Sequence, residues 1–245
     1  HCISSAASDV YKRQIQYAAK SGNLDLFKFL VENKVDIKNE SDQTKKNCLH
    51  TACENGNLDI CKYIIHVEPE LLKKSSNSNQ HVGHYAAKSG NTEILRFLIE
   101  QLDGDITKPL LACPTKDKIN ILHIACKFAR FDMCVLIADT YPNLINEISE
   151  KGWNAALFIT EKAGAEKERI NILNFLVQRR LNVYHVSRSG KTILYNACVN
   201  RSPNLVRHLL KHYPDLLDIE KTMDPRQAAK SKEIEDIFIH HFERK

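Results

Sequence analysis

Eight cysteines and eleven histidines are the residues of this 245-residue chain best suited to chemistry. A thiolate can ligate a metal or attack an electrophilic carbon, and an imidazole can ligate a metal or move a proton near neutral pH. Each role demands a particular spacing. No Cys-x-x-Cys pair of the zinc-site kind occurs. A nucleophile pair can be drawn between His50 and Cys53, but it requires a thiol that ionises beside an open pocket. The cysteines instead recur at matching places. Cys53, Cys126 and Cys198 each follow an alanine, and the equivalent sites elsewhere hold Ala19 and Ala87. A slot filled by either Cys or Ala is small and buried, so the thiol acts there as a small hydrophobe with a raised pKa. Cys61 and Cys134 share a second slot, filled elsewhere by Phe27 and Leu95. Cysteines in alternate repeats are separated by two helix-packing steps of roughly 8–10 Å each, too far for a disulfide. The eight glycines form no phosphate-cradling pattern. The reading assigns no catalytic, cofactor-binding or metal-binding residue, and places the chain in a reducing compartment, the cytoplasm or nucleus.

The elements that position these residues repeat. Tyr17-Ala-Ala-Lys-Ser-Gly-Asn23, His50-Thr-Ala-Cys-Glu-Asn-Gly-Asn57 and His84-Tyr-Ala-Ala-Lys-Ser-Gly-Asn91 are near copies, and Gly22, Gly56 and Gly90 fall 34 residues apart. A unit of this length reads as helix, glycine turn and second helix. Alone it buries too little apolar surface, so neighbours must stack. The helix starts Asn47-Cys-Leu-His50, His81-Val-Gly-His84, Asn120-Ile-Leu-His123 and Thr192-Ile-Leu-Tyr195 continue the register. Together they resemble the ankyrin repeat, across roughly residues 15–240. The resemblance implies an all-α solenoid of stacked helix-turn-helix units with loop or β-hairpin fingers, about six repeats and a terminal half-unit. The expected repeats are 15–43, 44–77, 78–116, 117–150, 151–188 and 189–221, with the half-unit at 222–245. It also implies that His50, His84 and His123 cap the first helices and tie neighbouring repeats together.

A longer regularity overlies the first. Pro69, Pro142 and Pro214 mark repeats two, four and six, spaced 73 and 72 residues apart, while Phe29, Phe97 and Phe175 mark second helices of the odd repeats. The building block is therefore a pair of repeats. Two departures stand out: an insertion between Pro109 and Lys118, and a fifth repeat in which Asn154-Ala-Ala-Leu157 replaces the motif and Glu161–Arg169 lengthens the turn. Residues 1–14 match no repeat and read as adaptor-derived sequence, which implies that the true N-terminus is missing.

A hydrophobic fraction of 43% and a charged fraction of 27% fit an ordered fold. The net charge of +5 is spread through the repeats, unlike the basic stripe of a nucleic-acid footprint. No apolar run reaches the roughly 20 residues of a membrane-spanning helix. Function is then expected on the surface, as non-catalytic binding of a protein or peptide, with no obligate oligomer evident. The position four before the motif His is Lys46, Gln80 or Lys191 in three repeats but Ile119 and Trp153 in repeats four and five, and Phe128 replaces Asn55 and Ser89 nearby. Ile119, Phe128 and Trp153 are the candidate apolar patch, bordered by Lys118, Lys127 and Arg130, a setting that favours an acidic or amphipathic segment. The alternative reading is the cytoplasmic ankyrin array of a larger channel or receptor, or the targeting module of a larger enzyme.

Overall fold

Six helix pairs and a terminal helix follow one another among the described residues, which are 13–38, 44–101, 113–220, 222–229 and 231–243 of the computed structural model. The proposed leader, apart from its last two residues, and the first part of the 109–118 insertion lie outside them. The pairs are 13–21 with Leu24–Glu32, Cys48–Asn55 with Leu58–Val67, Val82–Ser89 with Thr92–Gln101, Ile121–Lys127 with Phe131–Thr140, Ala155–Ile159 with Glu166–Gln178, and Ile193–Val199 with Pro203–His212; the terminal helix is Lys232–Glu243. The chain divides into two compact units, residues 1–116 and 117–245, and each is described by itself.

Within each unit the first helices are short because a cap fixes each start. Asn47, Asn120, Asn154 and Thr192 are extended N-caps whose side chains accept from the amide three residues on. Turn geometry then reverses the chain. Gly56 closes its helix at φ 80°, where a Cβ would meet only Asn91 at 3.8 Å. Gly56→Ala is therefore expected to cost about 1 kcal/mol, all of it backbone strain, in urea denaturation. At Gly22 an added Cβ would stand 2.8 Å from Asn57 Oδ1. That substitution would cost more, because it displaces the Asn57 amide, which donates to the Ala19 carbonyl at 2.7 Å.

The Asn57 bond exemplifies a recurrent device. Carbonyls at the end of a first helix have no partner in their own helix. The next repeat supplies one: Asn91 Nδ2 donates to Gly56 O at 3.0 Å, and Asn200 Nδ2 to Thr160 O at 2.6 Å. At the other end of the helices, the fingers close on themselves, with Ser76, Ser149 and Ser187 amides donating to the carbonyls of Gln80, Trp153 and Lys191. One backbone bond joins successive fingers, Asn77 to Thr44, Lys116 to Ser78, Glu150 to Asp117, and Met223 to Gly190. Of the two expected finger forms, the described residues show loops and no strand. A strand needs a ladder, and a single bond between fingers does not make one.

The paired-repeat period is visible in the backbone. Pro69, Pro142 and Pro214 each open a 3₁₀ helix, Pro69–Lys73, Pro142–Asn146 and Pro214–Leu217. Proline suits that first position, since its missing N–H would have had no partner there. Leu71, Leu72, Leu144, Ile145 and Leu216 turn inward from these segments and are buried. Repeats one and five instead pass through Lys34 and Arg180 at φ 62° and 67°, then bury Val35 with Ile37 and Leu181 with Val183.

Candidate protein-binding face

Three groups of side chains decide what the first-helix face can do: the motif histidines, the row of charges one turn further on, and the finger residues before each cap. His50 is fully buried; its Nδ1 accepts from the Asn47 amide at 3.2 Å, completing a capping box, and its Nε2 lies 3.2 Å from the Lys74 carbonyl. Since Nδ1 is an acceptor, Nε2 carries the proton and donates. His123 repeats the arrangement with Asn120 and the Glu147 carbonyl. Lys74 and Glu147 are the residues that end the 3₁₀ helices, so these histidines tie the start of each first helix to the end of its own repeat's proline turn. His84 accepts from the His81 amide in the same way. The rings also meet the next repeat: His50 stands 4.9 Å from Tyr85, and His123 stacks on Phe158 at 4.5 Å. Burial depresses the His50 pKa to about 4, despite the opposing pull of the Lys74 carbonyl.

The charged row is satisfied internally. Glu54 binds both Lys46, at 2.5 Å, and Lys88. These bonds hold its carboxyl below the ordinary range, against a burial effect that would raise it. Lys46 also lies over the Tyr85 ring at 4.7 Å. In the second unit Lys127 pairs with Glu161 at 2.7 Å. Lys127 thus has a carboxylate partner already and is not an open anion site. Arg130 is exposed.

The candidate apolar patch is not one cluster. Ile119 and Trp153, both half-buried, occupy equivalent finger positions just before the caps Asn120 and Asn154. The Trp153 ring packs edge-on against buried Phe158 at 5.6 Å. Phe128 ends the helix Ile121–Lys127, about 10 Å further along the axis at 1.5 Å per residue. Lys162 lies 3.9 Å from the centre of the Phe128 ring. Val199, 48% exposed at the end of Ile193–Val199, stands at this same far end. Its signal in the sequence is that it is apolar where the equivalent positions hold Lys20, Glu54, Lys88, Lys127 and Glu161.

Cysteine placement answers the question of chemistry. All the described cysteines are free thiols, and only Cys113 is not buried. Burial pushes Cys48 and Cys198 up to about 12. Cys53 Sγ lies 3.6 Å from Cys61 Sγ, and Cys126 Sγ 3.8 Å from Cys134 Sγ. These contacts run between the two helices of one repeat, a closeness that the separation between repeats does not touch. Each pair shares a hydrogen bond and lies in a slot without solvent, and Cys53 and Cys134 are pushed well above the ordinary range by the neighbouring thiol and by burial. Among the described residues no three metal-ligating groups converge, and no helix is long and apolar enough to cross a membrane.

Paired helices, cross-repeat capping and linked fingers define a helical-repeat domain. Residues 15–109 match the family described as ankyrin repeats, in three copies, and the fold is that of solved ankyrin-repeat domains. Similar solved structures include the human ASB11 ankyrin repeat domain, at 16% identity and TM-score 0.68 over 92% of this chain and 96% of that one. The ankyrin repeat domain of Bcl-3, a member of the IkappaB family, aligns at 18% identity and TM-score 0.62 over 92% and 97%. A chain from the Bdellovibrio bacteriovorus predatory endopeptidase Bd0816 in complex with immunity protein Bd3460 aligns at 20% identity and TM-score 0.61 over 81% and 97%. No curated protein sequence matches the chain.

Proposed function

We propose that this chain is a non-catalytic protein-binding module working inside the cell, and that its second unit holds the partner on the finger ends. The observation that carries the reading is the pair Ile119 and Trp153, apolar and half-exposed at equivalent sites on consecutive fingers. The corresponding sites in other repeats hold Lys46, Gln80 and Lys191. Trp supplies a large, rigid contact area of the kind that dominates binding energy. The fingers are ordered before binding by their own backbone bonds, so docking costs the receptor little entropy. Buried thiols with raised pKa values favour adhesion over catalysis, and free thiols suit a reducing compartment. A structural neighbour drawn from a peptidase complex, and ankyrin domains generally, fit a role in protein association.

The test is capture by immobilised residues 15–245 from a cell lysate, repeated with an Ile119→Ala, Trp153→Ala variant shown by circular dichroism to be folded. The expected result is a specific partner whose affinity falls at least tenfold in the variant, because a central apolar anchor is worth about 2 kcal/mol or more. Phe128→Ala, altering the far end of the helices, is expected to leave that affinity within threefold. Equal capture by the double variant would remove the site from the fingers; no specific capture by either form would remove the binding-module reading.

A further inference from the structure

His208 and His212 stand four residues apart on the helix Pro203–His212. That spacing puts two side chains on one helical face, as in helical zinc sites. Their ring centroids are 4.6 Å apart. A metal ion bonded at about 2.0–2.1 Å to one nitrogen of each ring would hold the two centroids roughly 4.5–5 Å apart at coordination angles of about 90–110°. The observed separation already falls in that interval.

A second observation concerns which nitrogen is available. His208 Nε2 lies 2.8 Å from Asn174 Oδ1, on the neighbouring helix Glu166–Gln178. A carboxamide oxygen only accepts, so Nε2 carries the proton and Nδ1 keeps its lone pair. One nitrogen donating to a fixed acceptor while the other stays open is the arrangement that orients metal-bound imidazoles. Tyr213 flanks both rings, at 6.5 and 6.4 Å. It forms one side of the pair's surroundings.

The geometry points to His208 and His212 as a two-histidine site for one borderline divalent transition ion, of the zinc, nickel and copper class. Imidazole nitrogen selects these ions over calcium and magnesium, which require oxygen. With two protein ligands the ion keeps open positions for water or for a donor from a bound partner. The site is independent of the finger residues proposed above.

Nickel alone, then zinc alone, titrated calorimetrically into the untagged chain, tests the assignment. The expected result is saturable binding of one ion per chain, weakened at least tenfold by His208→Asn and by His212→Asn. Asn174→Ala is expected to weaken binding about tenfold while leaving both ligands in place, as loss of an orienting partner does. A His240→Asn, His241→Asn control, altering the adjacent pair on the terminal helix, should bind as the parent does. Circular dichroism on each variant separates lost ligation from lost folding. Undiminished binding in His212→Asn, loss confined to the control, or no saturable binding at millimolar metal would each overturn the site.

Discussion

Replacing Arg169 by alanine is expected to destabilise the 117–245 unit by about 3 kcal/mol, lowering its melting temperature by roughly 10 °C. Arg169 is 3% exposed and spends its guanidinium on main-chain carbonyls: Nε donates to Gly164 at 2.7 Å, Nη2 to Lys127 at 3.4 Å, and Nη1 to Ile159. It does in repeat five what Asn57, Asn91 and Asn200 do elsewhere, capping the ends of first helices from the following segment. An asparagine cannot reach, because repeat five turns through residues 160–165 with Gly164 and Ala165 both at positive φ. A planar fork with several donors spans that wider gap. Removing it orphans the carbonyl of Ile159, a buried residue, and that of Lys127, at about 1–3 kcal/mol for each group that water cannot reach. Trp153 is the only tryptophan, so its fluorescence reports unfolding of this unit. Arg169→Met separates bonding from packing, since it keeps the aliphatic stem and loses every donor; a loss of about 2 kcal/mol is expected. Arg169→Met unfolding at the parent denaturant concentration would show that the guanidinium contributes nothing beyond its volume.

That arginine marks where the sequence stops being informative. The 34-residue glycine ladder, the Ala-Cys slots and the histidine caps are local patterns, each set by a few neighbouring residues, and each has its counterpart in the backbone. The proline superperiod was equally legible, because proline fixes φ and leaves no amide to satisfy; its consequence, a 3₁₀ helix closed by His50 or His123, was not. Lys127 read as an exposed cation, yet Glu161 lies against it from the next repeat. Lys46 and Lys88 likewise converge on Glu54. Equivalent positions in adjacent repeats stand side by side, so opposite charges one period apart are a usable signal of pairing. Arg169 offers no such signal. Its partners depend on the path of an irregular loop, and a charged residue in a helix ordinarily faces solvent. Phe128 shares its apolar character with Trp153, whereas helix length sets the two at opposite ends.

Acidification from pH 7.5 to pH 5 is expected to weaken the 1–116 unit through His50 by about 2 kcal/mol, before its carboxylates titrate. The His50 pKa falls from an ordinary 6.5 to about 4 in the folded chain. The unfolded chain therefore takes up a proton that the folded one refuses, and the stabilisation is complete above pH 6.5 and lost as pH falls toward 4. His81, also lowered by burial, adds to the loss in the same direction. Glu54 works in a lower window: its depressed carboxyl contributes above its ordinary 4.5 and loses that contribution only below it. His50→Gln removes the titration together with the cap. At pH 7.5 the variant should be less stable than the parent by about 2 kcal/mol, the combined worth of a cap and a buried hydrogen bond. At pH 5 that gap should close, because only the parent has lost stability through residue 50. Urea denaturation followed by circular dichroism at both pH values, with Trp153 fluorescence tracking the other unit, measures the convergence. Parallel pH profiles for parent and variant would mean that burial does not hold His50 neutral.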